Sequence, residues 1–118
     1  MSQRLTSSPT QTSSDLNDQH YPFSRIWING RHVSIESIVQ QKVLSRSSFE
    51  EATFKFIHEW LSGAETFEMK TSGSTGAPKS ISIGRHQMIV SARRTSERIA
   101  LDKNSLALVC LDPSYIAG

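Results

Sequence analysis

Hydrophobic and polar positions change period along the chain, and each change marks an element. Ile26-Trp27-Ile28 and Arg31-His32-Val33-Ser34-Ile35 flank Asn29-Gly30. Asn-Gly readily takes the positive φ angles of a type I′ turn, so a hairpin is predicted. Period-two alternation puts Ile26 and Ile28 on one face with Val33 and Ile35, and turns Trp27 and His32 the other way. His32 has no chemical partner nearby in sequence. Phe49, Ala52, Thr53, Phe56, Ile57 and Trp60 then recur at helical spacing and form a stripe that suits packing on a sheet, with Phe56 and Trp60 as packing residues. Ser47 followed by Glu50 has the spacing of a capping box, and Ser62-Gly63 supplies the stop.

The remaining pattern is strand, loop, strand, helix, strand. Thr66 to Thr71 alternates as a strand does. Ser72 to Pro78 holds no large side chain, and Lys79 to Ile83 reads as a second short strand. A helix is predicted from about Arg85 to Leu101, with Met88, Ala92, Thr95 and Ile99 on one side. Leu106 to Leu111 is unbroken and apolar, the pattern of a buried strand. This order predicts an α/β fold rather than a helical bundle.

Composition narrows the picture. Residues 1–20 contain five Ser, three Thr and three Gln, too little apolar surface to offset ordering entropy, so a flexible leader is expected before a folded part over 21–118. That leader lacks the continuous apolar stretch of a secretory signal, and Arg4 stands against Asp15 and Asp18, unlike a transit peptide. The hydrophobic fraction of 36% is low for a fully packed domain. One cysteine, Cys110, permits no internal disulfide or cysteine metal cluster, and no metal-ligating set is read. The longest apolar run cannot cross a bilayer, so a cytoplasmic protein is expected. The net charge of +2 gives no whole-chain argument for nucleic acid. Charge is uneven, however: six bases against Glu97 and Asp102 lie between Lys79 and Lys103. For Arg93, Arg94 and Arg98 the reading is a solvated helix face.

The chemistry lies in Thr71-Ser72-Gly73-Ser74-Thr75-Gly76-Ala77-Pro78-Lys79. Glycines let backbone N–H groups converge on an anion. The hydroxyls of Thr71, Ser72, Ser74 and Thr75 can donate to phosphate oxygens, and Lys79 adds a point charge. A Walker A loop is disfavoured: Pro78 stands where that motif needs glycine, and a strand rather than a helix follows Lys79.

This segment resembles, without a gap, the Thr-Ser-Gly-Ser/Thr-Thr-Gly-x-Pro-Lys signature of the acyl-adenylate-forming enzymes: acyl- and aryl-CoA ligases, luciferases and nonribosomal peptide adenylation domains. The strand after Lys79, the helix opening Arg85-His86-Gln87-Met88, and Asp112-Pro113-Ser114-Tyr115-Ile116-Ala117-Gly118 resemble the family's next elements. Tyr115-Ile116-Ala117-Gly118 looks most like o-succinylbenzoate–CoA ligases of menaquinone synthesis; many relatives carry a His where Ser114-Tyr115 stand. The resemblance implies the N-terminal part of the large α/β domain of an adenylate-forming ligase, an incomplete sheet with flanking helices. Such an enzyme uses ATP, Mg2+ and coenzyme A. A small carboxylic acid attacks the α-phosphate of Mg·ATP, and a thiol then takes the acyl group. Thr71, Ser72, Gly73, Ser74, Thr75, Gly76 and Lys79 are implied to bind the nucleotide phosphates, and no residue of this chain is implied as a nucleophile.

The resemblance runs from roughly Tyr21 to Gly118, the front of a family enzyme. The adenine-binding segment, the Mg-binding glutamate, the ribose-binding aspartate and the small C-terminal domain with its lysine are not in it. The expectation is a truncated ligase with an uncovered sheet edge and exposed apolar surface, inactive by itself. Two alternatives stand beside it. A non-enzymatic phosphate-binding or protein-interaction module would have a compact, closed fold. Nucleic-acid binding would rest on the basic helix alone and lose affinity steeply with salt.

Overall fold

The computed structural model describes residues 21–73 and 76–115. The expected leader over 1–20, Ser74 and Thr75 of the loop, and Ile116-Ala117-Gly118 lie outside the described residues. Among the described residues two antiparallel hairpins and three helices follow in order: β1 (Arg25–Ile28), β2 (Arg31–Ser34), α1 (Ile35–Val39), α2 (Ser48–Leu61), β3 (Thr66–Thr71), β4 (Lys79–Gly84) and α3 (Arg85–Arg98).

The first hairpin turns as predicted, with φ of +46° at Asn29 and +77° at Gly30. Ile26 pairs with Val33 and Trp27 with His32. Those last two rings meet edge to face outside the core, centroids 4.5 Å apart. Ile35 departs from the prediction: it opens α1 instead of ending β2, because Ser34 caps that helix by accepting from the Ser37 N–H. Ile28, Val33, Ile35, Ile38 and Phe54 form the buried core, with Phe49, Ile57 and Leu61 against it. Each such side chain, fully buried, contributes about 1.5–3 kcal/mol.

Helix α2 buries two sides, not the single stripe expected. Phe54 faces the first hairpin, whereas Phe56 and Trp60 stack on Phe67 of β3 at centroid distances of 5.5 and 5.4 Å. The capping box is half formed. Ser47 Oγ accepts from the Glu50 N–H at 3.2 Å, but the Glu50 carboxylate does not return to the cap. It is wholly buried, accepting from Arg31 Nη2 at 2.7 Å, the Arg46 N–H at 2.7 Å and Asn29 Nδ2 at 3.2 Å. The hairpin turn is thereby tied to the first turn of α2, where a negative charge also suits the helix dipole.

All three helices end in the same way. The residue beyond the C-cap takes a positive φ, and two backbone bonds close over the last turn, as in a Schellman motif. After α2 that residue is Gly63 at +85°; after α1 it is Gln41 at +55°, and after α3 it is Ala100 at +52°. The closing bonds are Ala64 N–H to Glu59 C=O at 3.0 Å, Lys42 N–H to Ser37 C=O at 2.9 Å and Leu101 N–H to Ser96 C=O at 2.8 Å. Only α2 uses the residue type that takes this conformation without strain.

The predicted strand over 106–111 is not formed. Those residues take up no regular secondary structure, with Leu106, Leu108, Val109 and Leu111 exposed. Apolar character favours a strand only where a neighbouring edge supplies backbone partners. The chain regains one farther on, where Tyr115 bridges Lys70 of β3 in parallel. Helix α3 ends at Arg98, three residues short of prediction, and buries none of its side chains fully. Among the described residues no helix is long and apolar enough to cross a membrane.

Two predictions follow from these contacts. The Glu50 carboxyl is held down at about 2 from an ordinary value of 4.5 by Arg31, the Arg46 N–H and Asn29, against the opposing effect of burial. Its stabilisation is present above pH 4.5 and drains away as pH falls toward 2. Glu50→Gln should flatten the pH dependence of the unfolding midpoint in that window and lower the midpoint at neutral pH by about 10 °C; an unchanged acid limb removes the assignment. Ala100→Gly relieves a left-handed alanine, a gain of about 1–2 kcal/mol offset by about 0.4–1 kcal/mol of added unfolded-state entropy. Thermal unfolding followed by far-UV circular dichroism should therefore shift upward.

Candidate phosphate-binding loop

The β3–β4 register runs from Thr66 opposite Gly84 to Thr71 opposite Lys79. The glycine-rich segment is thus the tip of a hairpin, and two of its predicted binding residues form the last rung. Thr71 Oγ1 donates to the Lys79 carbonyl at 3.3 Å, which fixes the root of the loop. Cross-strand partners share a face, so Thr71 and Lys79 emerge on one side of the ribbon and Lys70 and Ser80 on the other. Phe67 and Met69 are buried, which holds β3 in place beneath the loop.

Ser72, Gly73, Gly76, Ala77, Pro78 and Lys79 are all exposed. Gly76 has φ of +131°, and a Cβ built there meets nothing within 4 Å; glycine is required by backbone conformation, not by crowding. At Gly73 a Cβ would lie 3.8 Å from the Ala77 and Gly76 carbonyls, ordinary contact that leaves the chain folded over on itself. The structure brings Thr71 and Lys79 together and sets Ser72, Gly73 and Gly76 beyond them. Ser74 and Thr75 lie outside the described residues. Among those residues no group of three or more His, Cys, Asp or Glu is placed to hold a metal ion.

The bases after the loop divide. Arg93, Arg94 and Arg98 are exposed on α3, the solvated face that was expected. Arg85 is engaged elsewhere. Its Nη2 donates to the Trp60 carbonyl at 2.6 Å and its Nε to the Ala64 carbonyl at 2.7 Å. Its guanidinium lies over the Trp60 ring, 4.2 Å from the centroid. A cation that closes the carbonyl end of one helix from the first residue of another leaves no local sequence signal, and the sequence reading counted Arg85 only as a base.

The far edge of β3 was also missed. The Lys70 N–H donates to the Ser114 carbonyl at 2.8 Å, which brings Tyr115 beside the residue that precedes the loop. Lys70 Nζ lies 5.9 Å from the Tyr115 ring centroid. Asp112 accepts from the Ser114 hydroxyl at 2.7 Å and its N–H at 2.8 Å. These bonds, and then the Lys70 charge, hold its carboxyl below the usual range. The segment 112–115 is therefore a built turn against β3.

No protein-family profile matches the chain, and no curated protein matches it. A solved structure does. The chain is 38% identical to an acyl-CoA synthetase (AMP-forming)/AMP-acid ligase II-like protein from Dyadobacter fermentans, with a TM-score of 0.59 over 67% of its own length. It spans 23% of that protein. The expected α/β fold class holds on this comparison: the two small antiparallel sheets and their helices match part of that AMP-forming ligase-like protein.

Gly76→Ala should cost about 1–3 kcal/mol of local strain and leave the β3–β4 rungs in place. Amide shifts should change within 71–79 and not at Phe67 or Met69; changes spread through β3 would show that the loop is not an independent tip.

Proposed function

We propose that the loop from Thr71 to Lys79 holds the phosphates of Mg·ATP in an ATP-dependent acid–CoA ligase of the cytoplasm. The observation that carries this reading is the complete nine-residue signature at the tip of the β3–β4 hairpin, with α3 directly after it, in a chain similar to an AMP-forming ligase-like protein. The donor set fits a polyphosphate. Hydroxyls on Ser72, Ser74 and Thr75 and the amides of Gly73 and Gly76 are neutral donors, and exposed Lys79 supplies charge. Thr71 belongs to the site through the root it fixes, and would donate to phosphate only by giving up its bond to the Lys79 carbonyl. These groups bind and orient the phosphates and stabilise charge gathering on phosphate oxygens. Mg2+ would arrive with the nucleotide. Coenzyme A and the acid would use surfaces beyond these residues, the acid being o-succinylbenzoate on the likeness of the Tyr115-Ile116-Ala117-Gly118 phrase.

The alternative of a non-enzymatic phosphate-binding module predicts a closed fold. The exposed side chains from Leu106 to Leu111 favour the ligase reading over it.

Two measurements separate the readings. Mg·ATP should bind the 118-residue chain, and Lys79→Ala should weaken binding about tenfold or more, the size of one charged hydrogen bond. Equal affinity would remove Lys79 from the site. In a form extended by the remaining ligase segments, pyrophosphate release should depend on o-succinylbenzoate and not on benzoate. Release with unrelated acids only would discard the substrate, and nucleotide binding without release from any acid would favour the module.

A further inference from the structure

The turn that closes the first hairpin holds a covalent weak point beside the buried carboxylate. Asn29 and Gly30 are both exposed. Ile28 opposite Arg31 is the last rung of the β1–β2 ladder, so the Gly30 N–H lies outside it and takes no partner among the described residues. A Cβ built on Gly30 would meet nothing within 4 Å, which leaves this nitrogen open to water. A backbone nitrogen that follows asparagine can attack the side-chain carbonyl carbon, and glycine, having no Cβ, hinders that approach least.

The other asparagine among the described residues is built the opposite way. Asn104 precedes Ser105, whose N–H is already committed to the Asp102 carbonyl at 3.1 Å. At Asn29 the restraint falls on the side chain instead, where Nδ2 donates to Glu50 Oε1 at 3.2 Å. Glu50 is wholly buried, and among the described residues Arg31 is the one charged side chain paired with it.

We propose that Asn29 is a site of spontaneous deamidation, and that its conversion to an acid opens the clasp on Glu50. The Gly30 nitrogen bonds to Asn29 Cγ, the Cγ–Nδ2 bond breaks, and ammonia leaves with the Gly30 proton. Water then opens the cyclic imide at one of its two carbonyls. Opening at Cγ gives aspartate, which sets a carboxylate against Glu50 where a donor had been. Opening at the main-chain carbonyl gives isoaspartate, which also adds a methylene to the backbone of a two-residue turn. Two carboxylates at that separation oppose each other, and one arginine cannot offset both. The bond from Nδ2 to Glu50 restrains the side chain while the turn is closed, so the reaction proceeds from molecules in which the turn has opened. Conversion removes the bond that would close it again, and the step runs one way. It involves no residue of the glycine-rich loop and stands apart from the ligase reading.

The test is to age the 118-residue chain at mildly alkaline pH and map its proteolytic peptides by mass spectrometry. Conversion at Asn29 ahead of Asn104 is expected. Asn29→Asp stands in for the product and should lower the unfolding midpoint at neutral pH by about 5 °C or more. Adding Glu50→Gln supplies a donor to the new acid, so the double variant should unfold above Asn29→Asp alone, although Glu50→Gln lowers the midpoint of the unmodified chain. Where Asn29→Asp does not fold, recovery of folding in the double variant is the same test. Conversion of Asn104 with Asn29 intact, an Asn29→Asp midpoint equal to that of the unmodified chain, or a double variant no more stable than the single one would overturn the proposal.

Discussion

One buried carboxylate organises the first half of this protein. Glu50 accepts from a guanidinium, a carboxamide and a backbone amide, and these come from the hairpin turn and from the approach to α2. Removing a charge from water is unfavourable unless its hydrogen bonds are replaced, and here three donors replace them. The arrangement also sets geometry. Arg31 reaches the Leu44 carbonyl at 3.1 Å with the same nitrogen that binds Glu50, so the connection between α1 and α2 is drawn toward the turn. The apolar core then closes beneath, with Ile35 and Ile38 wholly or almost wholly out of water.

Helix α2 passes this order to the second half. Its N-terminus is fixed by Glu50 and Ser47, and its C-terminus by Gly63 and the incoming Arg85. Stacking of Phe56 and Trp60 on Phe67 sets the position of β3, and β3 carries the glycine-rich loop on one end and the 112–115 turn on its far edge. The loop is therefore an exposed tip on a strand held from below by aromatic contact and at its root by the Thr71–Lys79 rung. Backbone donors can be presented to an anion from such a tip only if the strand beneath stays still, which is what the buried Phe67 and Met69 provide.

Features fixed by short-range chemistry were legible in the sequence. Asn29-Gly30 could make only a tight turn, alternation in β1 and β2 gave the correct faces, and Ser47 and Gly63 marked the ends of α2. The loop was legible because its glycines, hydroxyls and lysine are contiguous. Features that depend on distant partners were not. Glu50 looked like a capping residue because Arg31, nineteen positions earlier, leaves no trace in the local pattern. Arg85 looked like one base among several. Phe54 was missed because a single-stripe helix was assumed where two sides are covered. The apolar run from Leu106 to Leu111 matched the composition of a strand, yet pairing depends on an available edge, and the edge of β3 meets Ser114 and Tyr115 instead.

The two tryptophans sit in contrasting surroundings. Trp27 is 65% exposed and touches little but the edge of His32, on the outer face of the first hairpin. Trp60 lies between the Phe67 ring and the Arg85 guanidinium, where α2, β3 and α3 converge. The molecule thus carries two intrinsic fluorophores in separate neighbourhoods, one wet and one packed against a cation. A red-edge, readily quenched emission belongs to the hairpin and a shielded emission to the seat of the loop. Each half of the fold can be watched in its own light without an added label.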